Sequence, residues 1–294
     1  MYLASLLPVF NEDIFLKYRP FPEKSTNIFE AHWHEMAASF LMYTGIQLLC
    51  SPVCKKLLGT KYSLLDKKTR INFDIHVVSM FQAAISILGI IPMWNHPLLT
   101  DSKLDPGLSV TGYYPYGGLV ASLTIGYFLW DFVVCAACYK LFGLGFLIHA
   151  IAALTVFLFC LIPFNIPWIP AFLIFELSTP FVNVNWFASK LPSNFFNENV
   201  VLVNGLMLIC TFFWVRIVWS LSAFYALFKC MSVLWAETES YSYKACIVTT
   251  TVMKFLLDIL NIFWLYKMIL IARKKLNNKT SYKQAESELA KKVI

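Results

Sequence analysis

Glu176-Leu-Ser-Thr-Pro-Phe-Val-Asn-Val-Asn-Trp-Phe187 sets a carboxylate, two hydroxyls, a proline and two amides inside an apolar, aromatic region. A charged side chain at the centre of a bilayer costs at least ~2.5–3.5 kcal/mol on insertion scales, so Glu176 must face protein or water rather than lipid. Pro180 has no N–H to give, and the carbonyl it deprives must be satisfied by Ser178, Thr179 or a neighbouring helix. A segment built this way reads as the lining of an internal site. Glu176, Ser178, Thr179, Asn183, Asn185 and Trp186 are its candidate cavity-lining residues.

The rest of the chain supplies the apolar setting. Of 294 residues, 59% are hydrophobic, 17% aromatic and only 14% charged, with mean hydropathy +0.63. A soluble domain carries about 25% charged residues, so this chain has too little polar surface to cover itself in water. It is expected to be an all-α, multi-pass membrane protein. Seven apolar segments approach the ~20 residues a bilayer requires, near 36–54, 75–95, 117–139, 143–162, 167–187, 200–229 and 247–271. The third and fourth form a tight helical hairpin around Lys140. The fifth is short and flanked by Pro163, Pro167 and Pro170, so it reads as a broken span or a re-entrant one. The apolar start, Met1 to Phe10, lacks a basic leader and runs into Glu12 and Asp13, unlike a cleavable signal peptide. Eight cysteines are scattered through the chain. Cys50 and Cys54, or Cys135 and Cys138, have no partner ligands nearby and read as small packing residues.

Seven spans alternate the connecting segments, and the basic residues then divide unequally. Fifteen lysines and arginines fall on one side, in the 55–73 segment, at Lys140 and Lys190, and beyond residue 272; six fall on the other. By the positive-inside rule the C-terminal tail is cytosolic. The formal charge of +7 therefore speaks to topology and anionic lipid rather than nucleic acid. Lys291 and Lys292 precede Val293-Ile294, the pattern of a dilysine retrieval signal read by the COPI coat, which implies residence in the endoplasmic reticulum.

Several ionisable residues fall within the spans. Lys254, Asp258 and Asn261 share one helix face, either as a self-neutralising Lys–Asp pair or as cavity lining. Arg216 has no acidic residue on its own helix, so it needs Glu176, Asp131 or an anionic ligand. Asp131 and His149 lie at similar depth on the two arms of the hairpin, where a carboxylate could orient an imidazole as a general base or simply form a buried hydrogen bond. Asp74 and His76 read as interfacial. His32, Trp33, His34 and Glu35 read as an interfacial aromatic belt, with metal binding as the alternative. No phosphate-binding loop or metal cluster stands out, and no cofactor is expected.

Gly126-Tyr-Phe-Leu-Trp-Asp131, His149 within Phe146-Leu-Ile-His-Ala, and Phe175 to Phe187 together resemble the TLC domain (TRAM, Lag1 and CLN8 homology), in the branch of TLC domain-containing protein 4 and its fungal relatives. Arg70-Ile-Asn-Phe-Asp-Ile-His-Val-Val-Ser79 is similar to that domain's first helix. The resemblance implies a TLC domain over 66–275, with six helices forming a barrel around a cavity. It leaves 1–35 as a non-cytosolic segment, 36–65 as an extra first helix and cytosolic loop, and 276–294 as a basic cytosolic tail. It also implies the endoplasmic reticulum and a role in lipid synthesis, sensing or trafficking. Ceramide synthases of this family use two adjacent histidines where this chain has His149-Ala150, which argues against that activity here.

The leading expectation is a protein that binds a membrane lipid or acyl chain and contributes to lipid homeostasis. Two alternatives stand beside it: an acyl-transfer enzyme using His149 and Asp131, and a cargo receptor or chaperone moving between the endoplasmic reticulum and Golgi. Full rescue of a null phenotype by His149→Ala would exclude the enzyme. An unmoved protein after mutation of Lys291 and Lys292 would exclude the receptor.

Overall fold

A computed structural model describes residues 7–15, 18, 27–192 and 195–292, and for 275, 276 and 278–292 it describes the backbone alone. Seven helical rods dominate these residues: α1 Ile28–Leu58, α2 Lys67–Met93, α3 Pro115–Ala137, α4 Leu144–Leu161, α5 at 166–190, α6 Glu198–Glu237 and α7 Tyr241–Lys292. Six of them, all but α5, are long and apolar enough to cross a membrane. Side chains at the boundaries explain several starts. Asn27 accepts from the Phe29 amide at 2.9 Å, Asp66 from those of Lys68 and Thr69, and Asn197 from that of Asn199. Each satisfies a first-turn N–H that has no intrahelical partner.

The fifth segment is broken in its hydrogen bonding yet runs the length of the helical ring. It runs through a 3₁₀ turn (Ile166–Trp168), a short α-helix (Ile169–Leu173), a second 3₁₀ stretch (Ile174–Ser178) and an α-helix (Thr179–Lys190). At the usual rises this makes a rod of roughly 40 Å, longer than the hydrocarbon core. Its ends also sit at opposite ends of the molecule. The Asn165 amide, just before it, bonds the Val110 carbonyl at 2.7 Å, whereas Phe187 meets Phe73 at the start of α2 with centroids 4.7 Å apart. The tightened stretch also answers for Pro180: the Thr179 amide reaches back to the Glu176 carbonyl.

Helices α2, α3, α4, α7, α6 and α5 pack in that cyclic order and close a ring. α1 lies outside it, against α2 and parallel to α3. His32 of α1 meets Tyr113 just before α3, Ser39 bonds the Leu123 carbonyl at 2.6 Å, and Gln47 accepts from Trp130 at 3.0 Å. The segments 94–114, 162–165 and 238–240 gather at one end of the ring, and 59–66, 138–143 and 191–197 at the other. Ile28 and Lys274 therefore lie at opposite ends, as seven alternating rods require. The dilysine pattern falls partly outside the described residues: the backbone of Lys291 and Lys292 closes α7, and Val293 and Ile294 are not described.

At the 94–114 end, His96 clamps the N-terminal segment. Its ring stacks on Tyr114 at 3.8 Å, its Nε2–H donates to Asn11 at 2.9 Å, and its Nδ1 accepts from the Leu98 amide at 3.3 Å. Both nitrogens are committed in the neutral form, and burial lowers the imidazole pKa below its ordinary 6.5. In the unfolded chain His96 binds its proton near pH 6.5, and in the folded chain only at lower pH. Its contribution to stability is thus present above that range and is lost as pH falls through it. Thermal melts of the detergent-solubilised protein between pH 7.5 and 5 should show a declining midpoint. His96→Asn keeps a capping side chain without the titration and should flatten that decline; an unaltered slope would mean another group is responsible.

Candidate functional site

A cavity of about 110 Å³ lies between α3, α4, the α5 region, α6 and α7. Most of its wall is apolar, with Phe128, Phe157, Phe172, Leu173, Leu227 and Leu257 prominent. The polar wall residues are His149, Asn165, Glu176, Arg216, Thr250 and Lys254 with the indole of Trp168.

Two departures from α-helical winding meet at the centre. The 3₁₀ stretch Ile174–Ser178 of α5 packs against a π-helical segment of α6, Phe213–Trp219, which carries Arg216. A wider turn re-aims side chains, and π segments recur at functional sites. Arg216 Nε donates to Ser178 Oγ at 2.9 Å and Nη2 to Thr179 Oγ1 at 3.4 Å. Thr179 Oγ1 in turn donates to Glu176 Oε2 at 2.7 Å, and the guanidinium stands 4.0 Å from Glu176 Oε1. The guanidinium also lies over the Phe212 ring at 5.3 Å. Lys254 is neutralised on its own helix by Asp258 at 2.5 Å, and Ser220 of α6 donates to the same carboxylate at 3.2 Å. Both cations of the cavity wall thus have an anion of the protein beside them.

The opening stretch of sequence divides between two places. Glu176 lines the cavity, while Ser178 and Thr179 stand behind it and hold Arg216. Asn183 and Trp186 turn outward to α2: Asn183 bonds His76 Nδ1 at 2.7 Å and Ser79 at 2.8 Å, and Trp186 stacks on the His76 ring at 4.3 Å. Asn185 is half-buried and off the cavity wall. Asp74 is held by Tyr62 at 2.6 Å.

The hairpin pair does not assemble as an oriented base. No hydrogen bond joins Asp131 to His149 among the described residues. Asp131 receives only a 3.7 Å contact from Cys135, one turn along its own helix, and lies within electrostatic reach of Glu176. His149 sits on the side of α4 that faces α7, with its ring 5.5 Å from Trp264 and its Nδ1 buried without a hydrogen-bond partner. The depths match, but the helix rotations point the two groups apart.

At the 94–114 end, Asp13, His32 and Glu35 bring ligand-type atoms within 4.8 Å of one another. Both His32 nitrogens are engaged, Nδ1 by Glu35 at 2.6 Å and Nε2 by Tyr113 at 2.9 Å, so a protein network already occupies them. The aromatic-belt reading is corrected here. His32 and Glu35 are buried between α1 and α3, and of that group Trp33 is the exposed member.

The profile of the TLC domain matches residues 72–270, which takes in the ring and leaves α1 outside. The chain belongs to the TLC domain family. That family consists of membrane proteins linked to lipid handling. This TLC chain is 37% identical over 265 residues to Topoisomerase I damage affected protein 4 of Saccharomyces cerevisiae, covering 88% of the chain and 91% of that relative. It is 36% identical to a TLC domain-containing protein of Schizosaccharomyces pombe (90% and 87% covered) and 27% identical to TLC domain-containing protein 4-B of Danio rerio (86% and 93%).

Three wall residues of the TLC cavity, Asn165, Trp168 and Thr250, escape sequence reasoning. Asn165 leaves a trace, as an amide between prolines in an apolar run; Trp168 and Thr250 look like ordinary packing residues.

Proposed function

We propose that this TLC protein binds a lipid inside its helical ring and contributes to membrane lipid homeostasis in the endoplasmic reticulum, with its C-terminal tail cytosolic and without ceramide synthase activity. The observation that carries the reading is the largely apolar cavity between the helices, with a short arc of polar groups and internally compensated charges. Apolar walls with a few placed polar groups are what a lipid site needs. The tail orientation is supported by the odd number of crossings and the surplus of lysine and arginine at the 59–66 end. Residence in the endoplasmic reticulum rests on the family resemblance. An acyl-transfer mechanism would need a base and its orienter, and His149 has no such partner in this conformation.

Mass spectrometry of lipid that co-purifies with the protein tests the reading. Wild type should carry lipid through detergent washing. Glu176→Gln leaves Arg216 without its counter-charge at the cavity wall, so the bound pool should shift several-fold toward acidic lipids. Purified wild type devoid of lipid would sink the proposal.

A further inference from the structure

We propose that Asn165, Trp168 and Thr250 form a subsite for the free hydroxyl of an uncharged glycerolipid, a mono- or diacylglycerol. The inference rests on the lipid-binding reading above and names the chemical class of its ligand.

The three side chains are 7%, 4% and 4% exposed, and all three border the same cavity. Asn165 Oδ1, Trp168 Nε1 and Thr250 Oγ1 are each buried without a hydrogen-bond partner among the described residues. Isolated orphans of this kind are uncommon in folded proteins, and three on side chains that border one cavity point to a polar group from outside the chain. The fold holds them there firmly. Asn165 takes the left-handed conformation, with φ 63°, its amide anchored on Val110, and Phe164 and Ile166 fully buried on either side. Trp168 packs in the same core as Cys246 and Ile247, one turn before Thr250.

Donor and acceptor types then select the ligand. The indole N–H can only donate, the threonine hydroxyl does either, and the asparagine amide offers an acceptor and two donors whichever way it is turned. A hydroxyl accepts from Trp168 while donating to Asn165, and Thr250 remains to donate to the neighbouring ester oxygen. A phosphate diester or a carboxylate accepts only and would leave the Asn165 carbonyl without a donor. Charge points the same way, since Arg216 and Lys254 each have a protein anion beside them and the wall has no surplus positive charge. Size is compatible: roughly 150 Å³ of apolar cavity holds a benzene ring, so about 110 Å³ accommodates a glycerol-sized group. Phe157, Phe172 and Leu257 offer apolar surface to the attached chain.

Native mass spectrometry of the purified full-length protein would test this with dioleoylglycerol and monooleoylglycerol as probes. Methyl oleate, oleic acid and dioleoylphosphatidylcholine serve as comparators. Dioleoylglycerol or monooleoylglycerol should bind most tightly, with methyl oleate about tenfold weaker for want of the hydroxyl. Trp168→Phe and Thr250→Val should each weaken glyceride binding roughly 3–10-fold. Thr250→Ser keeps the hydroxyl and should bind like wild type, which carries the test if Trp168→Phe fails to fold. Methyl oleate binding as tightly as the glycerides would mean that the three groups hold water only, and would overturn the subsite. Preference for oleate or phosphatidylcholine, or glyceride binding indifferent to Thr250→Val, would overturn it too while leaving the general lipid reading intact. Failure of wild type to bind any of the five probes would remove both.

Discussion

Arg216→Leu should destabilise the protein by about 3–5 kcal/mol, the usual cost of removing one partner of a buried ion pair and leaving the other uncompensated. In thermal melts this corresponds to a fall on the order of 10 °C. The loss has several parts. Glu176 would lie inside the ring with only the Thr179 hydroxyl donating to it, and Ser178 Oγ would lose the donor at 2.9 Å while still giving its proton to the Phe175 carbonyl. The 4.0 Å approach of guanidinium to carboxylate is long for a direct bond, so much of the coupling runs through Thr179, which accepts from one and donates to the other. Arg216→Lys should therefore recover only part of the loss, because an ammonium lacks the planar fork that reaches both hydroxyls. The decisive comparison is a double-mutant cycle. Glu176→Gln in the Arg216→Leu background removes the stranded charge and should restore 1–3 kcal/mol, on the scale of contacting pairs. Strictly additive effects would show that the two residues do not sense each other.

This centre was legible in the sequence only in part. The depth of Glu176 and of Arg216, and the need of each for an opposite charge, follow from composition and hydropathy alone. So does the succession of seven helical rods. What the sequence does not carry is rotation about helix axes. The α-helical period would set Arg216 in a regular helix, whereas seven residues of π-helix re-aim it, and no residue in Phe213–Trp219 announces that change. The same blindness explains the hairpin. Counting residues from the turn places Asp131 and His149 at one depth, but α4 is wedged between α3 and α7 and presents His149 to Trp264. It also explains why Asn183 and Trp186, read as cavity lining from their neighbourhood with Glu176, instead clasp His76 of α2. Two to three turns of helix separate them from Glu176, and the intervening switch from 3₁₀ to α winding turns them to another face.

Gly126→Ala should be among the most damaging single-carbon additions to the described residues. A Cβ built on Gly126 would stand 2.5 Å from the Met36 carbonyl oxygen and 2.5 Å from Ser39 Cβ, both on α1. One of these neighbours is backbone, so relief requires the whole of α1 to withdraw from α3. That withdrawal would also strain the Ser39 bond to Leu123 and loosen the burial of His32 against Gly118, where an added Cβ would likewise collide with the imidazole. Overpacking ordinarily costs 1–3 kcal/mol, and a contact that cannot yield through a rotamer change belongs at or beyond the upper limit, about 3 kcal/mol. Small residues at such crossings are what lets two helices approach closely in a membrane. Gly45→Ala and Gly205→Ala provide the controls, since nothing lies within 4 Å of either position; alanine there should be neutral. Melting midpoints and size-exclusion profiles of the three variants in detergent decide the matter. If Gly126→Ala melts with the two controls, α1 is a loosely attached accessory to the ring. If it alone collapses, α1 is part of the fold although it lies outside the 72–270 match, because the groove between α2 and α3 is shaped to be filled.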